Sequence, residues 1–163
     1  MNASQQARRE QFMPSRRVRT AITRGADLTP YTANDVVGGL FTFPRISESS
    51  PLIRIDHALL SLDLSAVPGS MSTFRLHLYS CEPSALADND AFTMSAADFA
   101  KYVGYIDIGT PVDVGPILVV QAADIRRVCQ SLLGDLYGYL VTAGAYTPAA
   151  STTITLDLAG TEV

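Results

Sequence analysis

Few side chains in this sequence could activate a nucleophile, and they do not form a complete catalytic set of nucleophile, base and orienting group. The histidines are His57 and His77, and the cysteines are Cys81 and Cys129. A nucleophile needs a neighbouring base. Cys81 follows His77 closely, but each fits a strand or its end, and no third group would orient the pair. Neither a Gly-x-Ser-x-Gly motif nor a phosphate loop ending in Gly-Lys-Ser/Thr is present. The sequence therefore predicts that the protein is not an enzyme and uses no cofactor.

The two cysteines are far apart in the sequence and match no zinc-site spacing. Two buried thiols in a reducing compartment are the simpler interpretation. A disulfide would require the two Cα atoms to lie within about 7 Å of each other. Both interpretations stay open at this point.

Three carboxylates are the weak candidates for a metal site. Asp88, Asp90 and Asp98 could supply oxygens to a calcium ion, and the Asp-Asn-Asp order at residues 88–90 is similar to part of a calcium loop. The bidentate glutamate and central glycine of an EF-hand are missing. A turn and a helix cap, in which Ser95 and Asp98 form a capping box with Asp in place of Glu, account for the same residues. We therefore predict no metal site, with calcium as the alternative.

Outward-pointing aromatic side chains could form a sugar-binding platform. The candidates are Tyr79, Tyr137, Tyr139 and Tyr146. The chain has no tryptophan, which is the large flat ring that such platforms favour. Tyrosines scattered over strands more often pack at subunit contacts or sheet edges, and that is the interpretation we favour.

Arginine placement is the most informative feature of the charged residues. Residues 1–24 contain six of the twelve cationic residues and one acid, for a net charge of +5, whereas residues 25–163 carry −9. A basic arm on an acidic body is typical of a protein that docks onto another molecule. Because arginine binds carboxylates through a planar fork, we predict a partner-binding set made of Arg8, Arg9, Phe12, Arg16, Arg17, Arg19 and Arg24.

The charge of the body narrows the class of partner. A net charge of −9 would repel phosphate, so we expect no nucleic-acid partner. An acidic protein surface or a neighbouring copy of the chain fits the arm better. A solvated, disordered tail is the alternative interpretation. No apolar run approaches the ~20 residues that span a membrane, and no apolar stretch of a secretory signal follows the basic start.

The body consists of short segments with strand character, separated by glycine and proline. Residues 17–24 alternate weakly and predict an edge strand or a strand docked on a partner. Pro68-Gly69 predicts a turn that makes an antiparallel hairpin of the two strands beside it. The strands are predicted at residues 36–43, 53–64, 73–80, 102–108, 117–120, 136–142 and 152–158.

These segments predict one all-β domain. Bulges are expected at Gly38-Gly39 and near His57, and one short helix is expected at residues 97–101. A doubly wound α/β fold would need long amphipathic helices, and none is visible. Hydrophobic content of 47% and charged content of 17% exclude a disordered chain. We predict a β-sandwich or jelly-roll-like domain at residues 27–163, with an extended basic N-terminal arm at residues 1–26.

Three segments carry a resemblance to a known family. They are residues 28–39 (LTPYTANDVVGG), 87–104 (ADNDAFTMSAADFAKYVG) and 136–148 (LYGYLVTAGAYTP). The first contains a Tyr-x-Ala-x-Asp-Val-Val-Gly pattern and the second an Asp-Asn-x-Ala-Phe pattern. Together they resemble small structural proteins encoded by tailed bacteriophages, over roughly residues 27–158. The residues before Asp27 lie outside the resemblance.

The resemblance implies a virion component without catalytic residues. The first hypothesis is a capsid decoration or cement protein that binds the major capsid protein or another virion protein. It would act as a homo-oligomer, with a trimer favoured, and would be assembled in the cytoplasm of the host bacterium without any membrane contact. The alternative is a tail, baseplate or fibre-associated β-domain that contacts a host glycan through loops around residues 47–51 and 143–150.

Overall fold

The protein is an antiparallel two-sheet sandwich, as seen in a computed structural model that describes residues 15–163. This confirms the prediction of an all-β sandwich with one short helix. The elements in chain order are β1 (Ser15–Thr23), β2 (Val36–Phe43), β3 (Leu52–Leu62), β4 (Phe74–Tyr79), α1 (Ala96–Phe99), β5 (Tyr102–Ile108), β6 (Val112–Asp113), β7 (Leu118–Ala122), β8 (Arg127–Gln130), β9 (Leu136–Thr142) and β10 (Thr153–Glu162).

The strands form a larger and a smaller sheet. The larger has the order β1-β10-β3-β7-β6, and β8 pairs with the first part of β3. The smaller has the order β2-β9-β4-β5. Alternate residues of each strand point between the sheets, as a period of two requires. Phe41, Leu60, Leu76 and Leu156 are among the fully buried side chains of the core between them.

The first strand lies within the range that the sequence assigned to the arm. β1 pairs with β10 along its whole length, from Ser15 opposite Thr161 to Thr23 opposite Thr153. Val18 and Ile22 pack against the core from their partly buried positions. The sandwich therefore includes residues 15–24, because this stretch completes the edge of the larger sheet.

The predicted hairpin between the third and fourth strands is wrong. β3 pairs with β10, β7 and β8, whereas β4 pairs with β5 and β9 in the other sheet. A turn does form at Pro68-Gly69, where the Met71 N–H donates to the Pro68 carbonyl. The segment between β3 and β4 leads from the larger sheet to the smaller one. Strands β6 and β8 were not predicted, since two and four residues are too short for an alternating pattern.

Both predicted bulges are confirmed by shifts in strand register. β2 shifts against β9 between Val36 and Leu40, across the two glycines, which adopt positive φ of 86° and 101°. β10 shifts against β3 between Ala159 and Gly160, next to His57. Positive φ is a conformation that glycine adopts without steric cost, which explains why the first bulge contains a glycine pair.

A long connection covers the outer face of the smaller sheet. Residues 80–101 cross that face, and Leu86, Phe92 and Met94 pack there on a second apolar cluster. Helix α1 lies in this connection and begins at the predicted cap, where Ser95 accepts a hydrogen bond from the Asp98 backbone N–H. The tyrosines expected at subunit contacts or sheet edges are mostly buried within the domain: this connection covers Tyr79 and Tyr139, and Tyr146 packs in the main core.

Candidate functional site

Two arginines of the predicted partner-binding set meet one buried carboxylate. Arg17 and Arg19 project from the outer side of β1, both 62% exposed, and flank Asp157 of β10, which is 4% exposed. Arg17 Nε donates to Asp157 Oδ1 over 2.8 Å, and Arg19 Nε donates to Oδ2 over 3.1 Å. Burial would raise the pKa of Asp157, but these hydrogen bonds hold it below its ordinary value.

Two further arginines of the set also contact carboxylates of the same chain. Arg16 donates to Glu48 over 2.7 Å and lies 3.4 Å from Glu162. Arg24 is almost fully buried, and its guanidinium lies 2.9 Å from Asp88. The four arginines between residues 15 and 24 therefore neutralise acids of their own body. Arg8, Arg9 and Phe12 lie outside the described residues.

The three calcium candidates have separate structural roles. Asp88 accepts hydrogen bonds from Arg24, Tyr31 and the backbone of Gly38. Asp90 accepts from the Ala87 backbone, and Asp98 accepts from Ser95 and the Ser84 backbone, which lowers the pKa of Asp98 to about 2. Within residues 15–163, no group of three or more potential ligands is arranged to hold a metal ion.

The histidines and cysteines are held by structural contacts. His77 Nδ1 lies 3.0 Å from the Tyr102 hydroxyl, and its ring stacks on Phe92 with centroids 4.2 Å apart. Cys81 and Cys129 are unpaired thiols. Cys129 is fully buried, and burial raises its pKa to about 11, so this thiol is a poor nucleophile at neutral pH.

The sequence reasoning missed an exposed apolar surface, which we call the apolar end. It consists of Leu52, Val128, Leu132, Leu133 and Val163. Leu133 is 84% exposed, and Leu132 and Val128 are about half exposed. Leu52 pairs with Gln130 of β8, the strand that carries Val128, and its carbonyl accepts a hydrogen bond from the Val163 N–H. Leu132 and Leu133 follow the end of that strand. Two adjacent leucines before Gly134 and Asp135, outside any predicted strand, were the available signal.

A groove, which we call the outer groove, lies on the outer face of the smaller sheet beside the covering connection. Its volume is about 500 Å³. Polar side chains on its walls include Asn34, Arg75, His77 and Asp107, and Phe92 forms its aromatic side. Arg75 donates to Asp107 over 2.9 Å and lies 4.1 Å from the centre of the Tyr105 ring. None of these residues had been selected as a binding residue from the sequence.

Comparison with known proteins gives structural similarity only. No family model matches the chain, and no curated protein matches its sequence. No helix in the described part of the chain has the length and apolar character needed to cross a membrane.

The similar solved structures are mainly viral capsid proteins. The capsid of Ralstonia phage GP4 matches with a TM-score of 0.42 and 16% identity, over 93% of this chain and 84% of that one. The Kashmir bee virus virion matches with a TM-score of 0.33 and 13% identity, over 92% and 71%. A carbohydrate-binding module of glycoside hydrolase family 9 (Cel9A) from Ruminococcus flavefaciens FD-1 matches with a TM-score of 0.38 and 13% identity, over 82% and 97%. At TM-scores this low, the similarities assign the chain to no family or function.

Proposed function

We propose that the protein is a non-enzymatic structural component of a bacteriophage virion, acting as a homo-oligomeric capsid decoration protein. The resemblance of residues 28–39, 87–104 and 136–148 to phage structural proteins supports the virion role. The apolar end is the observation that carries the proposal of subunit contacts. Large apolar side chains exposed together at one end of a domain are typical of protein–protein interfaces.

The position of the apolar end supports a joint role with the N-terminal residues. β1 starts at this end of the larger sheet, where Ser15 pairs with Thr161, and the chain ends nearby at Val163. Ser15, where β1 begins, therefore lies at the same end of the larger sheet as Leu52 and Val163. We propose that Arg8, Arg9 and Phe12 extend the same attachment surface toward the major capsid protein or a neighbouring subunit.

A double substitution tests the oligomer contact. We expect Leu132→Ser with Leu133→Ser to shift the protein from oligomer to monomer in sedimentation equilibrium, because it removes the most exposed apolar side chains of this end. The matched control is Val112→Ser with Val114→Ser, two valines of similar exposure around β6. The control should remain oligomeric. A wild-type protein that is monomeric at high concentration, or a double variant that stays oligomeric, would contradict the proposed contact.

Immunogold labelling of whole virions tests the location. We expect label over the head of the phage that encodes this chain. Label confined to the tail would contradict the decoration role and would favour the tail or baseplate alternative.

A further inference from the structure

We propose that the outer groove is a binding site for an uncharged saccharide, recognised by Asn34, Arg75 and Asp107 with stacking on Phe92. This inference does not rest on the proposed function, because a decoration protein and a tail protein could each carry such a site.

The groove exists because the covering connection protects only part of the smaller sheet. Asp107, Arg75 and Val141 lie side by side on β5, β4 and β9. Phe92 of the connection covers the next row, where it stacks on His77. Arg75 and Asp107, which stay exposed, and the buried Val141 form the floor of the groove beside the edge of the connection. Asn34 closes one side, held by backbone hydrogen bonds to Thr142 and Phe92.

The charge of the groove favours an uncharged ligand. Arg75 and Asp107 form an ion pair, so their charges cancel. Burial, and then repulsion by Arg75, lower the pKa of His77 to about 4, so its imidazole is neutral at physiological pH. The groove therefore offers a phosphate or carboxylate ligand no cationic side chain without an acidic partner. It offers a cation no carboxylate without a basic partner.

The polar groups offer both donors and acceptors, as a sugar hydroxyl needs. The Asn34 side chain is exposed and can donate through its amide nitrogen and accept through its oxygen. Asp107 is 69% exposed and keeps acceptor capacity beyond the bond from Arg75. The Arg75 guanidinium lies over the Tyr105 ring, bonds Asp107 through Nε and keeps further N–H groups as donors.

The aromatic side and the size of the groove complete the match. One face of Phe92 is occupied by His77, and the ring is only half-buried, which leaves part of it for the C–H groups of a sugar ring. A volume of about 500 Å³ lies within the range of small-molecule sites.

Glycan binding tests the proposal directly. The full chain is applied to an array of neutral and anionic oligosaccharides that includes maltotriose, cellotriose and tri-N-acetylchitotriose. The neutral compound with the highest signal is then titrated calorimetrically. We expect Asn34→Gly and Phe92→Leu each to weaken binding by about tenfold or more. Glycine is chosen at residue 34 because the backbone there has a positive φ of 72°.

The control is Gln121→Ala, which alters a shallower groove on the larger sheet and should leave binding unchanged. No signal above background on the array overturns the proposal. So does a preference for sialylated, sulfated or phosphorylated compounds, and so does unchanged affinity in the Asn34→Gly and Phe92→Leu variants. Circular dichroism of each variant verifies that the sandwich is intact.

Discussion

Asp88 joins three separate parts of the chain through one carboxylate. Oδ2 accepts from Arg24, which follows β1, and Oδ1 accepts from the Tyr31 hydroxyl and from the Gly38 backbone N–H over 2.7 Å. The Arg24 side chain is 2% exposed. A buried cation of this kind is stable only with its partner, since desolvation of an unpaired charge is costly.

We expect Asp88→Asn to lower the free energy of unfolding by about 3 kcal/mol, because the variant leaves the Arg24 guanidinium buried without a countercharge. Urea denaturation followed by circular dichroism measures the change. Asp107→Asn is the matched control. It breaks an exposed pair with Arg75 and should cost less than about 1 kcal/mol. Equal losses in the two variants would contradict the role assigned to Asp88.

His77 makes the stability of the fold depend on pH. Its folded-state pKa is lowered from 6.5 to about 4, so between these values the unfolded chain binds a proton that the folded chain does not. The neutral side chain therefore contributes no penalty above pH 6.5, and stability falls as the pH drops from about 6.5 toward 4.

We expect the wild-type protein to lose about 1–2 kcal/mol of unfolding free energy from this histidine over that range, after allowance for its partial solvent exposure. In His77→Gln, this part of the pH dependence should disappear. Urea titrations at a series of pH values measure it, with His57→Gln, an exposed histidine of β3, as the control. An unchanged slope in His77→Gln means that the histidine is not held neutral by burial.

At the scale of elements, β1 holds Arg16, Arg17 and Arg19 in the larger sheet. Its inward residues Val18 and Ile22 pack on the core, and its outward Arg17 and Arg19 enclose Asp157. The sequence predicted that these arginines bind carboxylates of a partner. In the structure, both contact Asp157 on the adjacent strand of the same chain. A contact of Arg16, Arg17, Arg19 or Arg24 with a partner stays a prediction.

Two truncations separate the strand from the residues before it. Deleting residues 1–14 should change the melting temperature by no more than about 2 °C, because every strand from Ser15 onward is retained. Deleting residues 1–24 removes β1, exposes the edge of β10 and leaves Asp88 and Asp157 without their arginines. We expect the melting temperature to fall by at least about 10 °C. Calorimetry of both proteins checks this, and equal melting temperatures would show that β1 is dispensable.

At the scale of the whole molecule, the first and last strands pair with each other. β1 lies beside β10, and β2 lies beside β9. Both pairings therefore join residues that are far apart in the sequence. Loop closure must precede such contacts, and its entropic cost slows folding.

We accordingly expect refolding from urea to take milliseconds to seconds, as is typical of β-sandwiches. Stopped-flow tyrosine fluorescence measures the rate, since the chain contains seven tyrosines and no tryptophan. Refolding within microseconds would mean that local contacts, rather than the pairing of β1 with β10 and of β2 with β9, limit the rate.

The sequence predicted the all-β class and every strand of five or more residues. The predicted ranges 102–108 and 136–142 coincide with β5 and β9, because runs rich in β-branched and aromatic residues are typical of strands. The helix cap at Ser95 and the bulges followed from local rules of the same kind. The concentration of arginines in residues 1–24 also predicted contacts with carboxylates.

Which strands lie side by side became visible in the folded chain and not before. Alternation predicts which face of a sheet a residue lies on, but it does not predict which strand pairs with which. The predicted hairpin of β3 and β4 was therefore wrong, because the two strands belong to different sheets. Tyr79 points outward as predicted, yet it is buried, because the connection of residues 80–101 covers that face, which alternation within the strand does not reveal. Contacts between residues far apart in the sequence also place a carboxylate beside each arginine of β1. The same kind of contact forms the apolar end and the outer groove. Local periodicity does not encode such contacts.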